Sequence, residues 1–180
     1  MEGIMQISKS LTFCFILLFV LSALSAETVT ISVIQNETAP SIASDMSHTI
    51  EDEILGSYFD AGHIVSNSDI RFDGIQFTEK NFGIKEAAQG FSDYLIAILL
   101  NYNPVEIHDT EKKTSWAELT SLVWRVVRVS DSKILAEKSM DISQLKVLDS
   151  DPYKQSRIVA DQAIKETLAV IAKAKQGGEN

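Results

Sequence analysis

The chain is built around the segment Ser92-Asp93-Tyr94-Leu95-Ile96-Ala97-Ile98-Leu99-Leu100-Asn101. A polar pair begins this segment, and Asn101 with the Asn103-Pro104 pair ends it. The residues between them are apolar almost without interruption. A short apolar run bounded by turn residues is typical of a strand that is covered on both faces. The sequence therefore predicts a buried central strand with amphipathic segments packed on either side.

Segments of strand and helix type alternate around this central strand. Before it, the sequence predicts a strand at 28–34, a helix from Ser41 or Ser44 to Phe59, a strand at 63–66 and a short helix at 83–91. After it, two strands at 115–129 and 133–138 form a β-hairpin, and a helix follows at 153–175. The order β-α-β-α-β-β-β-α indicates an α/β fold, a single-domain sandwich of a mixed β-sheet with helices.

Apolar spacing predicts which residues of the connecting segments are buried. The stripe of the first long helix consists of Met46, Ile50, Ile54, Leu55 and Phe59. Three consecutive acids of that helix are expected to face solvent: Glu51, Asp52 and Glu53. We expect a loop to cover Phe72, Ile75 and Phe77. We expect Phe91 to lie on the apolar face of the short helix. The core stripe of the last helix includes Ile158, Ile164, Leu168 and Ile171.

Residues 1–26 have the pattern of a cleaved signal peptide. Lys9 precedes an apolar run from Leu11 to Leu21, and the small residues at 22–26 follow it. This order predicts cleavage after Ser25 or Ala26, with the start at Met1 or Met5; the alternative is an uncleaved membrane anchor. We expect residues 27–176 to form the α/β domain and 177–180 a flexible tail, with no stable membrane span after cleavage.

Cysteine usage and charge narrow the compartment and the partners. The single cysteine, Cys14, lies inside the apolar run and not directly after the cleavage site, so it is badly placed for a lipid anchor. A mature chain without disulfides fits the bacterial periplasm better than a small secreted eukaryotic module. The chain has 16 Lys and Arg against 25 Asp and Glu, a net charge of −9. This charge argues against nucleic acid and anionic membranes as partners.

The sequence carries no recognisable catalytic or metal-binding pattern. His48, His63 and His108 are far apart, with no second ligand at helical spacing. No serine stands in a Gly-x-Ser-x-Gly elbow, and no glycine-rich phosphate loop is present. We therefore predict no catalytic residue, no metal and no cofactor, and a protein that is not an enzyme.

The predicted hairpin holds the best candidate for a partner-binding surface. Trp116 and Trp124 are eight residues apart and would share one face of a regular strand, with Arg125 and Arg128 close by. Tryptophan and arginine are enriched at the centres of protein interfaces. The alternative is that both tryptophans cover the core of this domain.

Four short motifs resemble a group of periplasmic α/β domains. They are Ile31-Ser32-Val33-Ile34-Gln35-Asn36, Gly62-His63-Ile64-Val65-Ser66, Ser92-Asp93-Tyr94-Leu95-Ile96 and Lys133-Ile134-Leu135-Ala136. Their order along the chain resembles the order of the corresponding motifs in the amino-terminal domain of TolB, in the curli secretion lipoprotein CsgG and in the lipoprotein activators of penicillin-binding proteins. The resemblance covers nearly all of residues 28–175 and implies a fold more than a function. Most members of that group are envelope proteins that bind other proteins.

Two departures limit what this resemblance implies. The chain has no lipobox, and it ends after one domain without a propeller or a pore-forming insertion, so neither secretion nor translocation is carried over. The sequence therefore favours an exported periplasmic, non-catalytic protein-interaction subunit or adaptor of a bacterial envelope complex. A small-molecule-binding protein or hydrolase with a pocket over the central strand is the alternative. Assembly with copies of itself stays open.

Overall fold

The computed structural model describes residues 26–41, 43–103, 107–109, 114–145 and 151–177. The strands are β1 (Thr28–Gln35), β2 (Ile64–Asn67), β3 (Tyr94–Tyr102), β4 (Ile107–Asp109), β5 (Thr114–Trp116), β6 (Leu119–Arg128) and β7 (Lys133–Asp141). The α-helices are α1 (Ala43–Asp60), α2 (Ile84–Gln89) and α3 (Pro152–Gly177). Residues 1–25 of the predicted signal peptide and the last three residues lie outside the described part of the chain.

Five strands form one mixed sheet in the order β2-β1-β3-β6-β7, and β4 pairs with β5 in a separate two-stranded sheet. β1 pairs in parallel with β2 and β3, while β6 pairs antiparallel with β3 and β7. The predicted α/β class, the mixed sheet and the order of elements are confirmed. No helix among the described residues has both the length and the apolar character that a membrane span requires.

The central strand is β3, as predicted, and both of its faces are buried. Successive side chains of a strand point to opposite faces of the sheet. Ile96 and Ile98 join the main core beneath α1 and α3. Leu95 and Ala97 join two smaller clusters on the opposite face. An apolar residue at every position is therefore needed here, which explains the uninterrupted run in the sequence.

The two long helices pack on one face of the sheet, and Tyr58 joins them. α1 buries Met46 and Ile50 as predicted, but its last buried side chain is Tyr58, and Phe59 is 70% exposed. The Tyr58 hydroxyl donates a hydrogen bond to Thr167 Oγ1 of α3 at 2.7 Å. Burial raises the pKa of Tyr58 well above its usual value. The prediction for Phe59 is wrong because the buried stripe continues four residues after Ile54.

Two further predictions on the helices are wrong for related reasons. Glu51 is only 4% exposed and accepts a hydrogen bond from Asn67 Nδ2 of β2 at 3.2 Å, so it does not face solvent. In α3, Val159 and Ala163 are buried, whereas Ile158 is 39% exposed. Ile158 is one position away from the buried stripe, because neighbouring helical residues point about 100° apart.

The segment between β2 and β3 covers the opposite face of the sheet. Phe77 and Phe82 are buried there and pack near Ile34 of β1. Phe72 and Ile75 are exposed by 59% and 69%, so their predicted burial is wrong and only Phe77 of the three is confirmed. Two aromatic rings of this segment, those of Phe77 and Phe82, therefore enter the core, while Phe72 and Ile75 remain at the surface.

The predicted hairpin is confirmed, with a later start. β6 begins at Leu119 and pairs antiparallel with β7. Trp116 ends β5, which pairs with Ile107 of β4, so Trp116 does not belong to the hairpin strand. The register of β6 and β7 shifts by one residue at Val126, which leaves Leu135 as an extra residue on β7.

Candidate functional site

Trp124 is part of the core and not an exposed interface residue. Its side chain is packed in the main cluster, and the whole residue is 4% exposed. The indole Nε1 donates a hydrogen bond to Glu166 Oε2 of α3 at 2.9 Å. Lys138 and Gln162 donate to the other oxygen of Glu166. This network joins α3 to β6 and β7. Trp116 lies in β5, and its side chain is outside the described residues.

Arg125 points to the opposite face of β6 and is also buried, at 5% exposure. Its guanidinium lies 4.6 Å from the centroid of the Phe77 ring. Nη1 donates to the backbone carbonyl of Glu79 at 2.9 Å, and Nε donates to Glu137 of β7. These contacts fasten the segment between β2 and β3 to the sheet, so Arg125 is used within the domain.

Arg128, at the end of β6, is the predicted residue that remains accessible. Its side chain is 34% exposed, and Nε and Nη2 donate to the two carboxylate oxygens of Asp131 at 3.1 and 2.8 Å. These hydrogen bonds lower the pKa of Asp131 and raise that of Arg128. The structure therefore does not bring the four predicted residues together on one surface. Of the three with described side chains, only Arg128 faces solvent.

Arg128 lines an open recess of about 480 Å³ at the end of the sheet where β1 and β3 begin. The apolar part of the lining includes Ala88, Phe91 and Val129. The polar part includes Glu27 and Asp93. We call this feature the strand-end recess. It is formed where α2, β3 and the end of β6 meet.

The Ser92-Asp93-Tyr94 motif builds the wall of the strand-end recess. Asp93 exchanges two hydrogen bonds with Thr28 of β1: Thr28 N donates to Asp93 Oδ2, and Asp93 N donates to Thr28 O, both at 2.8 Å. Val129 N donates to Asp93 O at 2.9 Å. The Ser92 hydroxyl lies 2.7 Å from that of Thr30. The motif thus ties β1, β3 and the end of β6 together, which is a structural role.

The charges of the strand-end recess are of both signs. Glu27 forms an ion pair with Lys175 of α3 at 2.8 Å, and Arg128 pairs with Asp131. Burial, with the nearby carboxylate of Glu27, raises the pKa of Tyr94 above its usual value. The described residues contain no group of three His, Cys, Asp or Glu side chains that could hold a metal ion. The recess offers contact surface, hydrogen-bonding groups and charge for a bound partner.

Phe91 has the most unusual position in the strand-end recess. It follows Gly90 at the end of α2 and has a positive φ of 55°. Its amide donates to Ala88 O at 3.1 Å and the Ser92 amide donates to Ala87 O at 3.0 Å, the two hydrogen bonds of a Schellman motif. Glycine usually occupies this position, because left-handed backbone costs other residues about 1 kcal/mol. The aromatic ring is nevertheless 90% exposed.

The sequence analysis missed Phe91 as a site residue and placed it on the buried face of α2. That prediction is wrong because α2 ends at Gln89, and the left-handed residue turns the chain away from the helix. The available signal was the order Gly90-Phe91: glycine comes one position too early to take the left-handed cap. A large aromatic residue held there in an unfavourable backbone conformation makes this position a candidate for a functional surface.

The comparisons with known proteins give a family but no activity. The chain belongs to a family described as "Uncharacterised protein", whose model matches residues 28–168. No curated protein matches it.

Three solved structures illustrate the likeness in fold. Lipoprotein GNA1162 from Neisseria meningitidis is 15% identical and covers 79% of this chain and 98% of its own, with a TM-score of 0.46. TolB from Acinetobacter baumannii is 11% identical, over 80% of this chain and 28% of its own, with a TM-score of 0.41. The PelC dodecamer from Paraburkholderia phytofirmans is 14% identical and covers 81% of this chain and 86% of its own, with a TM-score of 0.40.

TolB, which the sequence motifs resemble, is thus among the similar structures. The resemblance to CsgG and to the activators of penicillin-binding proteins stays a prediction. The TM-scores of all three structures are below 0.5.

Proposed function

We propose that this chain is an exported, non-catalytic protein-interaction subunit of a bacterial envelope complex, and that it contacts its partner through Phe91 and Arg128 at the strand-end recess. The observation that carries the proposal is Phe91, whose ring is 90% exposed on a backbone of positive φ. Both features disfavour the isolated domain, and a partner that covers the ring removes the exposure. Arg128 adds a planar, charged group that lines the same recess.

The composition of this surface fits a protein partner. Aromatic and arginine side chains supply much of the binding energy at protein interfaces, where a ring of weaker contacts excludes water around them. Phe91 and Arg128 have this composition, with Ala88 and Val129 as apolar neighbours in the recess. The apolar Phe91 ring would form the centre of the contact, and Glu27 and Asp93 would contribute polar contacts at its margin.

Two elements of the proposal come from the sequence. The signal-like residues 1–26 support export, and the absence of a cysteine after the cleavage site supports a mature protein in the periplasm without a lipid anchor. Mass spectrometry of the mature amino terminus tests this directly. Ala26 or Glu27 as the first residue supports export with cleavage, whereas an intact Met1 or Met5 contradicts it.

Site-specific photo-crosslinking in cells tests the interaction. A photoreactive phenylalanine analogue replaces Phe91 in one tagged full-length chain and Phe72 in the matched control, since Phe72 is 59% exposed on the segment after β2. We expect position 91 to capture one or a few defined envelope proteins that position 72 does not. Equal capture from both positions, or none from position 91, contradicts the proposed surface.

No observation on the described residues favours the alternative of a small-molecule-binding protein or hydrolase. The two described cavities lie at the ends and edge of the sheet and not over the middle of β3. Ser92 lies two residues before β3, and its hydroxyl is hydrogen-bonded to that of Thr30 and not to a base. The alternative stays a prediction from the sequence.

A further inference from the structure

A second groove lies on the other side of Arg128, between β7 and the carboxyl-terminal half of α3. It has a volume of about 360 Å³. Its floor is apolar, with Leu135 of β7 and Val170 and Ala174 of α3. Three cations line it: Arg128, Lys133 and Lys173. We call it the β7–α3 groove.

The charge of the β7–α3 groove is opposite to that of the whole chain. The chain carries a net charge of −9, yet the charged side chains that line this groove are all cationic. Arg128 is held by Asp131, while the side chains of Lys133 and Lys173 form no ion pair with any described residue. An acidic ligand is therefore repelled by the protein as a whole and attracted here, which favours one orientation of approach.

The backbone beside this groove can accept an extended chain. β7 is the last strand in the sheet order, and no described strand pairs with its outer edge. A free edge offers backbone amides and carbonyls to a further strand. Lysines on an edge, such as Lys133 and Lys138, together with the bulge at Leu135, hinder pairing with an arbitrary strand. These lysines attract the side chains of an acidic segment, so an acidic segment can still pair with this edge.

From these observations we infer that the β7–α3 groove binds an extended, acidic peptide segment of a protein partner, laid along the outer edge of β7 with acidic side chains between Lys133 and Lys173. The apolar floor accommodates the alternate side chains of such a segment. This inference does not depend on Phe91, because Phe91 does not line the groove and the acidic side chains are placed between Lys133 of β7 and Lys173 of α3.

The test uses the mature protein isolated from cells that express the full chain. The probe is a fluorescently labelled peptide of alternating Glu and Val, compared with a peptide of alternating Gln and Val. By fluorescence anisotropy at low salt, we expect the acidic peptide to bind at least about tenfold more tightly than the neutral one, and to weaken as salt approaches about 150 mM.

Single charge reversals locate the site. Lys133→Glu and Lys173→Glu should each weaken binding of the acidic peptide at least about fivefold. Lys165→Glu is the matched control, because Lys165 is an exposed lysine of α3 that does not line the groove. Lys173 is exposed on a helix, so its variant is expected to fold. Amide hydrogen exchange should show protection of β7 when the acidic peptide is present.

Several results would overturn the inference. They are equal binding of the two peptides, no binding of either peptide, an equal effect of Lys165→Glu, and protection of a region other than β7. Binding to vesicles that contain phosphatidylglycerol, without binding to the acidic peptide, would assign the groove to a lipid headgroup instead. Each outcome is independent of crosslinking at position 91, so failure here and failure of the proposed function are distinguishable.

Discussion

Replacing Arg125 by Ala should destabilise the domain and loosen the segment between β2 and β3. The guanidinium donates a hydrogen bond to the Glu79 carbonyl at 2.9 Å. Because the donor is charged, this bond contributes about 1.5–3 kcal/mol to stability. The contact with the Phe77 ring at 4.6 Å adds about 1 kcal/mol. The pair with the half-exposed Glu137 adds less than about 1 kcal/mol. Side-chain entropy recovered on removal offsets about 1.5–2 kcal/mol of this sum.

The expected net loss in the free energy of unfolding is therefore about 0.5–3.5 kcal/mol, with a central value of about 2 kcal/mol. With a urea slope of about 2 kcal/mol/M for a domain of this size, the midpoint falls by roughly 1 M. Arg128→Ala is the matched control, since Arg128 bonds only the exposed Asp131 among described residues, and its midpoint should not change measurably. Amide exchange should accelerate at 76–82 in the Arg125 variant alone. Equal midpoints for the two variants, or unchanged exchange at 76–82, would refute the structural role of Arg125.

Three further predictions concern the described core. Asn36→Ala should lower the free energy of unfolding, measured in urea, by about 1–3 kcal/mol. The Asn36 side-chain amide accepts a hydrogen bond from Tyr102 N at 2.9 Å and donates one to Tyr102 O at 3.1 Å, and both are lost. A variant as stable as the wild type would contradict this. Gly83→Ala should lower the thermal midpoint, since Gly83 has a φ of 72° and a Cβ there would lie 3.1 Å from a Leu95 methyl group. Gly56→Ala, in an exposed part of α1, should instead raise the thermal midpoint, because alanine favours the helix. In the folded domain, burial raises the pKa of Tyr58 and of Tyr102 above the value of about 10 that these phenols have in the unfolded chain. Stability is therefore complete below pH 10 and decreases above it, and tyrosinate absorbance during unfolding should show these two phenols ionising only as the domain opens.

The fold could be predicted because its organising pattern is local in the sequence. The run at 94–100 is apolar on both of its faces, and only a strand that is covered on both sides needs that pattern. The boundaries of α1 also follow from local spacing. Spacing also permits Tyr58, four residues after Ile54, but it does not reveal the partner of the buried hydroxyl, Thr167, which lies 109 residues further along the chain.

The candidate site could not be predicted in the same way. Arg125 beside Trp124 indicated a partner-binding surface, but the partners of Arg125, Phe77 and the Glu79 carbonyl, come from a distant segment that covers that face. Phe91 indicated a buried helix face, but a single left-handed residue reverses its direction. Burial of a charged residue and exposure of an aromatic one are both decided by long-range packing or by one dihedral angle. Neither is visible in periodicity.

The most direct measurement of the central claim is a comparison of stability and partner capture for Phe91→Gly. Glycine adopts the left-handed cap without strain, so the free energy of unfolding should rise by about 1 kcal/mol. The same change removes the exposed ring, so capture of envelope proteins by chemical crosslinking in cells should fall at least about tenfold relative to Phe72→Gly. Higher stability with lost capture is the predicted result. Capture equal to that of the unchanged chain would contradict the proposal that Phe91 is the centre of the partner-binding surface.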